Sequence, residues 1–310
     1  MARVGTRGSR LARAQTAWVV ERLRALAPDR DWETVVVTTT GDTSAAAPRG
    51  TGVFVKELQQ ALLEGTIDLA VHSLKDLPTD PVPGLTIAAI PQRADPREAL
   101  VGARLGGLGA GARVGTGSPR RSAQLRRLRP DLEVAPIRGN VPTRIDKVHR
   151  GELDAVMLAA AGLGRLGIAA DWLFDPEVVL PAPGQGALGI EAREGSFDTG
   201  LLAALDDPAT RAAVVAERAV LRELGGGCML PVATYGRLRG GVPGGLPGGL
   251  AGGTLVVEGS VTSPDGARQA WARAEGDPAY PADLGARVAK ELVVLGALEI
   301  LDETGRAGTA

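Results

Sequence analysis

Arginine recurs in this chain beside glycine and beside residues that start helices, a placement suited to gripping anions. Arg7 lies in GTRGS, Arg120 and Arg121 in GTGSPRRSAQ, Arg138 and Arg144 in IRGNVPTRI, and Arg165 in AGLGRLG. Helix N-termini present N–H groups without intrahelical partners and the positive end of the helix dipole. The guanidinium adds a planar fork that binds carboxylate or phosphate through two parallel bonds. Each such charged hydrogen bond contributes roughly 1.5–3 kcal/mol, so a cleft holding several would retain a polycarboxylate. Residue type does not separate carboxylate from phosphate, but GTGS is no Walker loop, because the Lys-Ser/Thr pair is absent. Any one of these arginines also reads as a solvated surface residue, and Arg126, Arg127 and Arg129 are read as just that.

Two further residues have chemical potential. Asp76 ends HSLKD, at the carboxyl end of an apolar run, where open α/β sheets bind their ligands. A carboxylate there can pair with cationic or N–H groups and exchange protons; equally it is a helix cap or an ion pair with Lys75. Cys228 follows three glycines and precedes Met229-Leu230-Pro231, which puts it on a loop. A lone cysteine is most often a buried small hydrophobe, whereas an exposed thiolate is a nucleophile for covalent catalysis or tethering. No histidine adjoins it to serve as base. With two histidines and one cysteine, no zinc-type cluster can be assembled, and His72 reads as a packed strand residue.

The elements that must position these residues alternate. Ser9 caps a helix with apolar positions at Leu11, Trp18 and Leu26, ended by Pro28. Residues 34–40 read as a strand, 54–65 as a helix, and 67–73 and 85–90 as strands. From about residue 112 the pattern restarts, with strands at 112–116, 132–137 and 154–160. Ser118-Pro119 opens a helix over 118–128, and another starts near Asn140. Strand, helix, strand predicts mostly parallel sheets covered by helices. Residues 91–98 and 180–186 read as crossings between two lobes. After Pro208 a helical stretch stops at Gly225-Gly226-Gly227, then strands at 255–263 and 269–276 and a closing helix from about Pro281 make a small third domain. The Gly/Pro-rich segment 240–253 reads as a flexible surface loop.

Composition narrows the function. At 310 residues the chain exceeds one ordinary core, and 44% hydrophobic with 23% charged residues predicts a globular fold. Thirty-five basic against 36 acidic residues give a formal charge of −1, with no general pull toward nucleic acid or an anionic membrane. The single cysteine argues for a reducing compartment, and residues 1–15 lack the apolar run of a signal peptide, so a cytoplasmic protein is expected.

The stretches TRGSRLARAQ, VFVKELQQALLEG, DLAVHSLKDLPT, RADPREAL, GTGSPRRSAQL, IRGNVPTRIDK, AGLGRLG, LPAPGQGALGIE and GGGCMLPV, in this order, resemble the porphobilinogen deaminase (hydroxymethylbilane synthase) family over nearly the whole chain. The resemblance implies a transferase of tetrapyrrole biosynthesis in which Cys228 carries a dipyrromethane cofactor through a thioether. Four porphobilinogen molecules are condensed on it head to tail, each losing ammonia, and hydroxymethylbilane is released. Asp76 matches the catalytic aspartate. Ser73, Lys75, Asp76, Thr116, Ser118, Arg120, Arg121 and Arg144 match positions that hold the cofactor. Arg7, Phe54, Arg138, Arg144, Arg165 and Gln185 match positions that meet substrate. Thr51 stands where the family commonly has lysine.

The expected fold is α/β in three domains: two lobes like those of type II periplasmic binding proteins and a C-terminal domain with an antiparallel sheet. Their expected bounds are 1–91 with 187–205, 92–186, and 206–310. A monomer binding a small molecule, with no metal, nucleic acid or membrane partner, is implied. The rivals are a non-catalytic two-lobed solute-binding module and a nucleic-acid binder using the arginines of 118–129. A binding module needs no cleft cysteine and usually carries an export signal. The second rival is opposed by the neutral charge and the lack of interleaved aromatics.

Overall fold

A computed structural model describes residues 1–38, 55–227, 230–240 and 253–307, the last three without their side chains. Strand β1 (Ala2–Thr6) leads into α1 (Arg10–Leu26), where the Ser9 hydroxyl accepts the Ala12 N–H at 3.3 Å. The buried stripe of α1 is Ala12, Gln15, Thr16, Val19, Val20 and Leu23; Leu26, expected on that face, is exposed, and Leu11 and Trp18 flank it. The helix thus turns two polar side chains inward. Next come β2 (Trp32–Val36), α2 (Lys56–Leu63), β3 (Leu69–Ser73) with a single 3₁₀ turn over Leu74–Asp76, and β4 (Leu85–Ala89). Strand β2 therefore starts and ends earlier than residues 34–40.

The first crossing, residues 91–97, delivers β5 (Glu98–Val101). Strand β6 (Arg113–Thr116), α3 (Pro119–Leu128), β7 (Glu133–Pro136), α4 (Val141–His149), β8 (Ala155–Ala159), α5 (Ala160–Arg165) and β9 (Trp172–Leu173) follow. The second crossing returns the chain to β10 (Leu188–Arg193) and α6 (Thr199–Leu205). One sheet has the order β2-β1-β3-β10-β4, the other β7-β6-β8-β5-β9. The two have one topology. In each, the first three strands are parallel, and the antiparallel strand in fourth place, β10 or β5, is the one that leaves a crossing. The result is a two-lobed α/β architecture, as expected from the alternation of strands and helices. Because β10 and β5 run antiparallel to β3 and β8, pairing Leu188 with Ser73 and Glu98 with Ala159, both crossings arrive at the carboxyl ends of the parallel strands.

The remainder is α7 (Pro208–Glu223), three antiparallel strands β11 (Val232–Arg239), β12 (Thr254–Thr262) and β13 (Gln269–Gly276), then α8 (Pro281–Val294) and α9 (Ala297–Ala307). Alanines of α7 and Val288 and Leu292 of α8 bury one face of this sheet. The segment 240–253 expected as a loop lies, except for its two end residues, outside the described residues.

A candidate active site between the lobes

Strand β3 is buried at Leu69, Ala70, Val71 and His72, and its carboxyl end delivers Ser73 to the cleft. Ser73 exchanges hydrogen bonds with Gln15 of α1, whose Nε2 donates to its Oγ at 2.9 Å. The 3₁₀ turn follows because Leu74 drops fully into a cluster with Leu77, Ala187 and Val214. That anchor leaves its neighbours Lys75 and Asp76 half-buried at the cleft. His72 is packed in the strand, its Nε2 3.1 Å from Glu191 Oε2.

The second lobe answers with the start of α3. Thr116 ends β6, and Gly117 passes so close to Ile137 that a Cβ would lie 2.6 Å from its carbonyl oxygen. Ser118 caps α3, its Oγ accepting the Arg121 N–H at 3.4 Å, with Pro119 in the first turn. Arg120 and Arg121 are almost wholly buried, at 4% and 6% exposure, and both reach Glu98 of β5, which is 0% exposed. Arg120 Nη2 donates to Glu98 Oε1 at 2.5 Å and Arg121 Nε to Oε2 at 2.8 Å. Arg120 also donates to the Leu180 carbonyl, and Arg121 to that of Met157.

Gln185, fully buried in the second crossing, joins the two sides. Its Oε1 accepts from Lys75 Nζ at 3.2 Å and from Arg121 Nη2 at 3.4 Å, while its Nε2 donates to Glu98 Oε1 at 3.0 Å. Lys75, Arg120, Arg121 and Gln185 are thus one network centred on Glu98, drawn from both lobes and the hinge. Arg144, on α4 behind the Asn140 cap, donates to the Gly139 carbonyl at 2.7 Å, and Arg165 at the end of α5 donates to that of Gly186 at 2.8 Å. Arg7, just past β1, is half-buried and Arg138 is exposed; neither belongs to the Glu98 network. Phe54, Thr51 and Cys228 lie outside the described residues.

The cations outnumber the anions. Burial alone would raise the Glu98 carboxyl, but Arg121 and Arg120 overcome it and hold it at about 2. Burial, then repulsion from Arg121, pushes the Lys75 ammonium down to about 8, against the pull of Asp76 and Glu98. Burial lowers Arg165 to about 10, and burial together with Arg121 lowers Arg144. Desolvated cations of this kind gain from an anion brought among them, so the residues present fit a ligand with several carboxylates.

Four features had not been singled out from sequence. Glu98 is the hub of the network, and its one signal is a charge opening the apolar run EALV. Gln15 holds Ser73. Arg93 forms a bidentate pair with Glu217 of α7, at 2.7 and 3.2 Å, and Glu217 also accepts the N–H groups of Gly184 and Gly236 at 2.7 Å each. That carboxylate ties both crossings to the third domain. Arg126 and Arg127, expected to be solvated, instead donate to the carbonyls of Pro264 and Gly266, at 2.7 and 3.5 Å, docking α3 on the third domain. Arg129 pairs with Asp131 and holds the carbonyls of Leu105 and Leu108. No group of His, Cys, Asp and Glu suited to a metal occurs among the described residues, and no described helix is long and apolar enough to cross a membrane.

Two family models match this chain: "Porphobilinogen deaminase, dipyromethane cofactor binding domain" over residues 2–200, and "Porphobilinogen deaminase, C-terminal domain" over 211–294. A porphobilinogen deaminase of Acidothermus cellulolyticus is 49% identical, over 99% of this chain and 92% of its own length. One from Thermus thermophilus is 47% identical, over 96% and 97%. Among solved structures, a periplasmic aliphatic sulphonate binding protein from Escherichia coli matches 71% of this chain and 69% of its own at 16% identity, with a TM-score of 0.37.

Proposed function

The chain belongs to the porphobilinogen deaminase family, and from that premise we propose how its cleft works. It is a transferase that condenses four porphobilinogen molecules head to tail, with loss of ammonia, to give hydroxymethylbilane. The observation that carries the reading of the site is the convergence of Lys75, Arg121 and Gln185, from three separate segments, beside Glu98 with a surplus of buried positive charge.

The dipyrromethane cofactor, tethered in our reading through Cys228, supplies a primer that remains attached while units are added. Ser73, Lys75, Asp76, Thr116, Ser118, Arg120, Arg121 and Arg144 hold it, and its carboxylates meet the cations of that set. Arg7, Arg138, Arg144, Arg165 and Gln185, with Phe54, receive the acetate and propionate groups of the incoming porphobilinogen. Charged hydrogen bonds to these groups fix each pyrrole before chemistry, so binding and orientation come from the arginines. Asp76 does the chemical work. Its carboxylate accepts pyrrole N–H hydrogen bonds and stabilises the positive charge that develops as ammonia departs. We assign residues 1–91 with 187–205, 92–186 and 206–310 to the three domains. The charge balance and lone cysteine support a cytoplasmic protein without nucleic-acid or membrane partners, and the family precedent supports a monomer.

The intact mass of the purified protein, beside a Cys228→Ala variant, tests this. The expected result is an excess equal to two porphobilinogen units less two ammonias, absent from the variant. If the parent protein has the bare polypeptide mass and gains nothing on incubation with porphobilinogen, the deaminase reading falls to that of a binding module.

Lys75 adds a pH dependence. Its folded value of about 8 lies below the ordinary 10.5, so between the two the unfolded chain holds more protons and stability rises with pH. Below pH 8 the folded protein bears the full cost of this charge, and a bound carboxylate relieves it by raising Lys75 again. Above pH 8, carboxylate binding therefore takes up a proton. The apparent affinity with which unloaded protein takes up its cofactor from porphobilinogen should be level below pH 8 and weaken above it by up to about tenfold per unit, a change absent in Lys75→Met. Parallel profiles for the two proteins would remove Lys75 from ligand binding.

A further inference from the structure

We infer that Arg218 is a positioning residue for Asp76, and that α7 holds the Asp76 turn and the approach to Cys228 in one register; this rests on the roles proposed above for those two residues. Arg218 lies on α7, in the third domain, yet its guanidinium is spent on the first. Nη1 donates to the carbonyls of Leu74 at 3.3 Å and Leu77 at 3.0 Å, and Nη2 to that of Pro78 at 2.6 Å. These acceptors flank Lys75 and Asp76 on both sides.

A short 3₁₀ turn leaves carbonyls without partners and is weakly held by its own bonds. This one is closed by a single internal bond, from Leu77 N–H to the Leu74 carbonyl at 3.2 Å, and anchored at its start by Leu74 N–H to the Ala187 carbonyl at 3.0 Å. Side-chain support matters more here than in a long helix.

Arg218 is costly to keep in this place. Burial and the neighbouring Arg222 both lower its pKa, with only Glu191 opposing, and among the described residues its hydrogen bonds all go to main-chain carbonyls. An arginine serving only as packing or solubility would extend its charge to water. One rigid fork spanning three carbonyls of a single turn fixes that turn's shape, which the point charge of a lysine does not.

The same helix reaches the segment again. Helix α7 ends at Glu223, and in the loop that follows a Cβ on Gly226 would lie 3.2 Å from Thr79 Oγ1. Arg218 thus grips residues 74–78 while the chain two residues before Cys228 abuts Thr79. One helix sets both the turn that carries Asp76 and the lead-in to Cys228, and so fixes the spacing between those two segments.

The test uses full-length Arg218→Gln and Arg218→Lys beside Asp76→Ala, each checked by intact mass for loading. Arg218→Gln should load, with porphobilinogen KM unchanged within about twofold and kcat reduced roughly 10- to 100-fold, the scale of an ångström-sized misplacement. Hydrogen exchange at residues 74–78 should accelerate by about tenfold or more, while the sheets of both lobes stay protected. Arg218→Lys should recover part of both losses, and it carries the same readouts if the glutamine variant does not fold. Unchanged exchange at 74–78, or a loss carried by KM alone, overturns the inference. If Asp76→Ala retains turnover, the reading of Asp76 itself fails. If Asp76→Ala is inactive while both Arg218 variants match the parent, only the coupling fails.

Discussion

Replacing Asp76 with alanine is expected to lower turnover about 10²- to 10⁴-fold, the combined range of proton-transfer and electrostatic contributions, while folding and cofactor loading persist. The reasoning is local. Asp76 lies half-buried at the cleft, its carboxylate accepts no hydrogen bond from the described residues, and the turn around it is held by Leu74, Leu77, main-chain bonds and the Arg218 guanidinium. Removing the carboxylate therefore takes away no structural partner beyond its attraction for Lys75. With Asp76 gone, the Lys75 ammonium falls further below 8, so the pH profile of residual activity should shift to lower pH. Steady-state turnover with an intact-mass check decides the matter: a loaded variant with near-parental turnover would end the role given to Asp76.

Glu98→Ala should produce the largest loss of stability. Glu98 is fully buried and holds Arg120, Arg121 and Gln185 at 2.5, 2.8 and 3.0 Å. Deleting one partner of a buried ionic cluster leaves the others uncompensated and typically costs about 3–5 kcal/mol. Two guanidiniums and the nearby Lys75 would then lack their central anion, and each cation would repel the others more strongly. The sign with pH follows from the low carboxyl value. Stability from Glu98 is complete above its unfolded value of 4.5 and fades as pH falls toward 2, so parent and variant should converge in acid. Thermal melts at pH 7 and at progressively lower pH measure this. A Glu98→Ala melting temperature within ~2 °C of the parent at pH 7, well under what such a loss implies, would show that the arginines do not depend on it.

Much of the order of elements was legible because apolar runs are bounded by Gly, Pro and N-cap residues, but β5, β9 and β11 were not read as strands. Ser9, Ser118 and Asn140 each cap a helix through their side chains, as their position before a helical run suggests. Strand direction was not legible. EALV and LGIEAR are short apolar runs whose sequence contains nothing that distinguishes an antiparallel neighbour from a parallel one. The inward face of α1 was misjudged because Gln15 and Thr16 are buried there, one meeting Ser73 across more than fifty residues of chain. For the site, the family motifs identified its cations, but not Glu98, which reads in sequence as an ordinary charge beside Arg97. Arg126 and Arg127 looked solvated because the carbonyls that engage them are more than a hundred residues away. Long-range partners of this kind leave no local periodicity to detect.

The triple grip of Glu217 bears on biosynthesis of the protein itself. Chains emerge from the N-terminus and fold domain by domain, so the residues of both lobes and both crossings are made before Glu217 appears. Until then Arg93 and the Gly184 N–H lack the carboxylate that joins them. The nascent lobes are in this sense an unfinished clasp, and docking of α7 is the step that closes it. Truncations upstream of residue 217 would strand the molecule before that closure, leaving a polar hinge open to the chaperones and proteases that police incomplete chains.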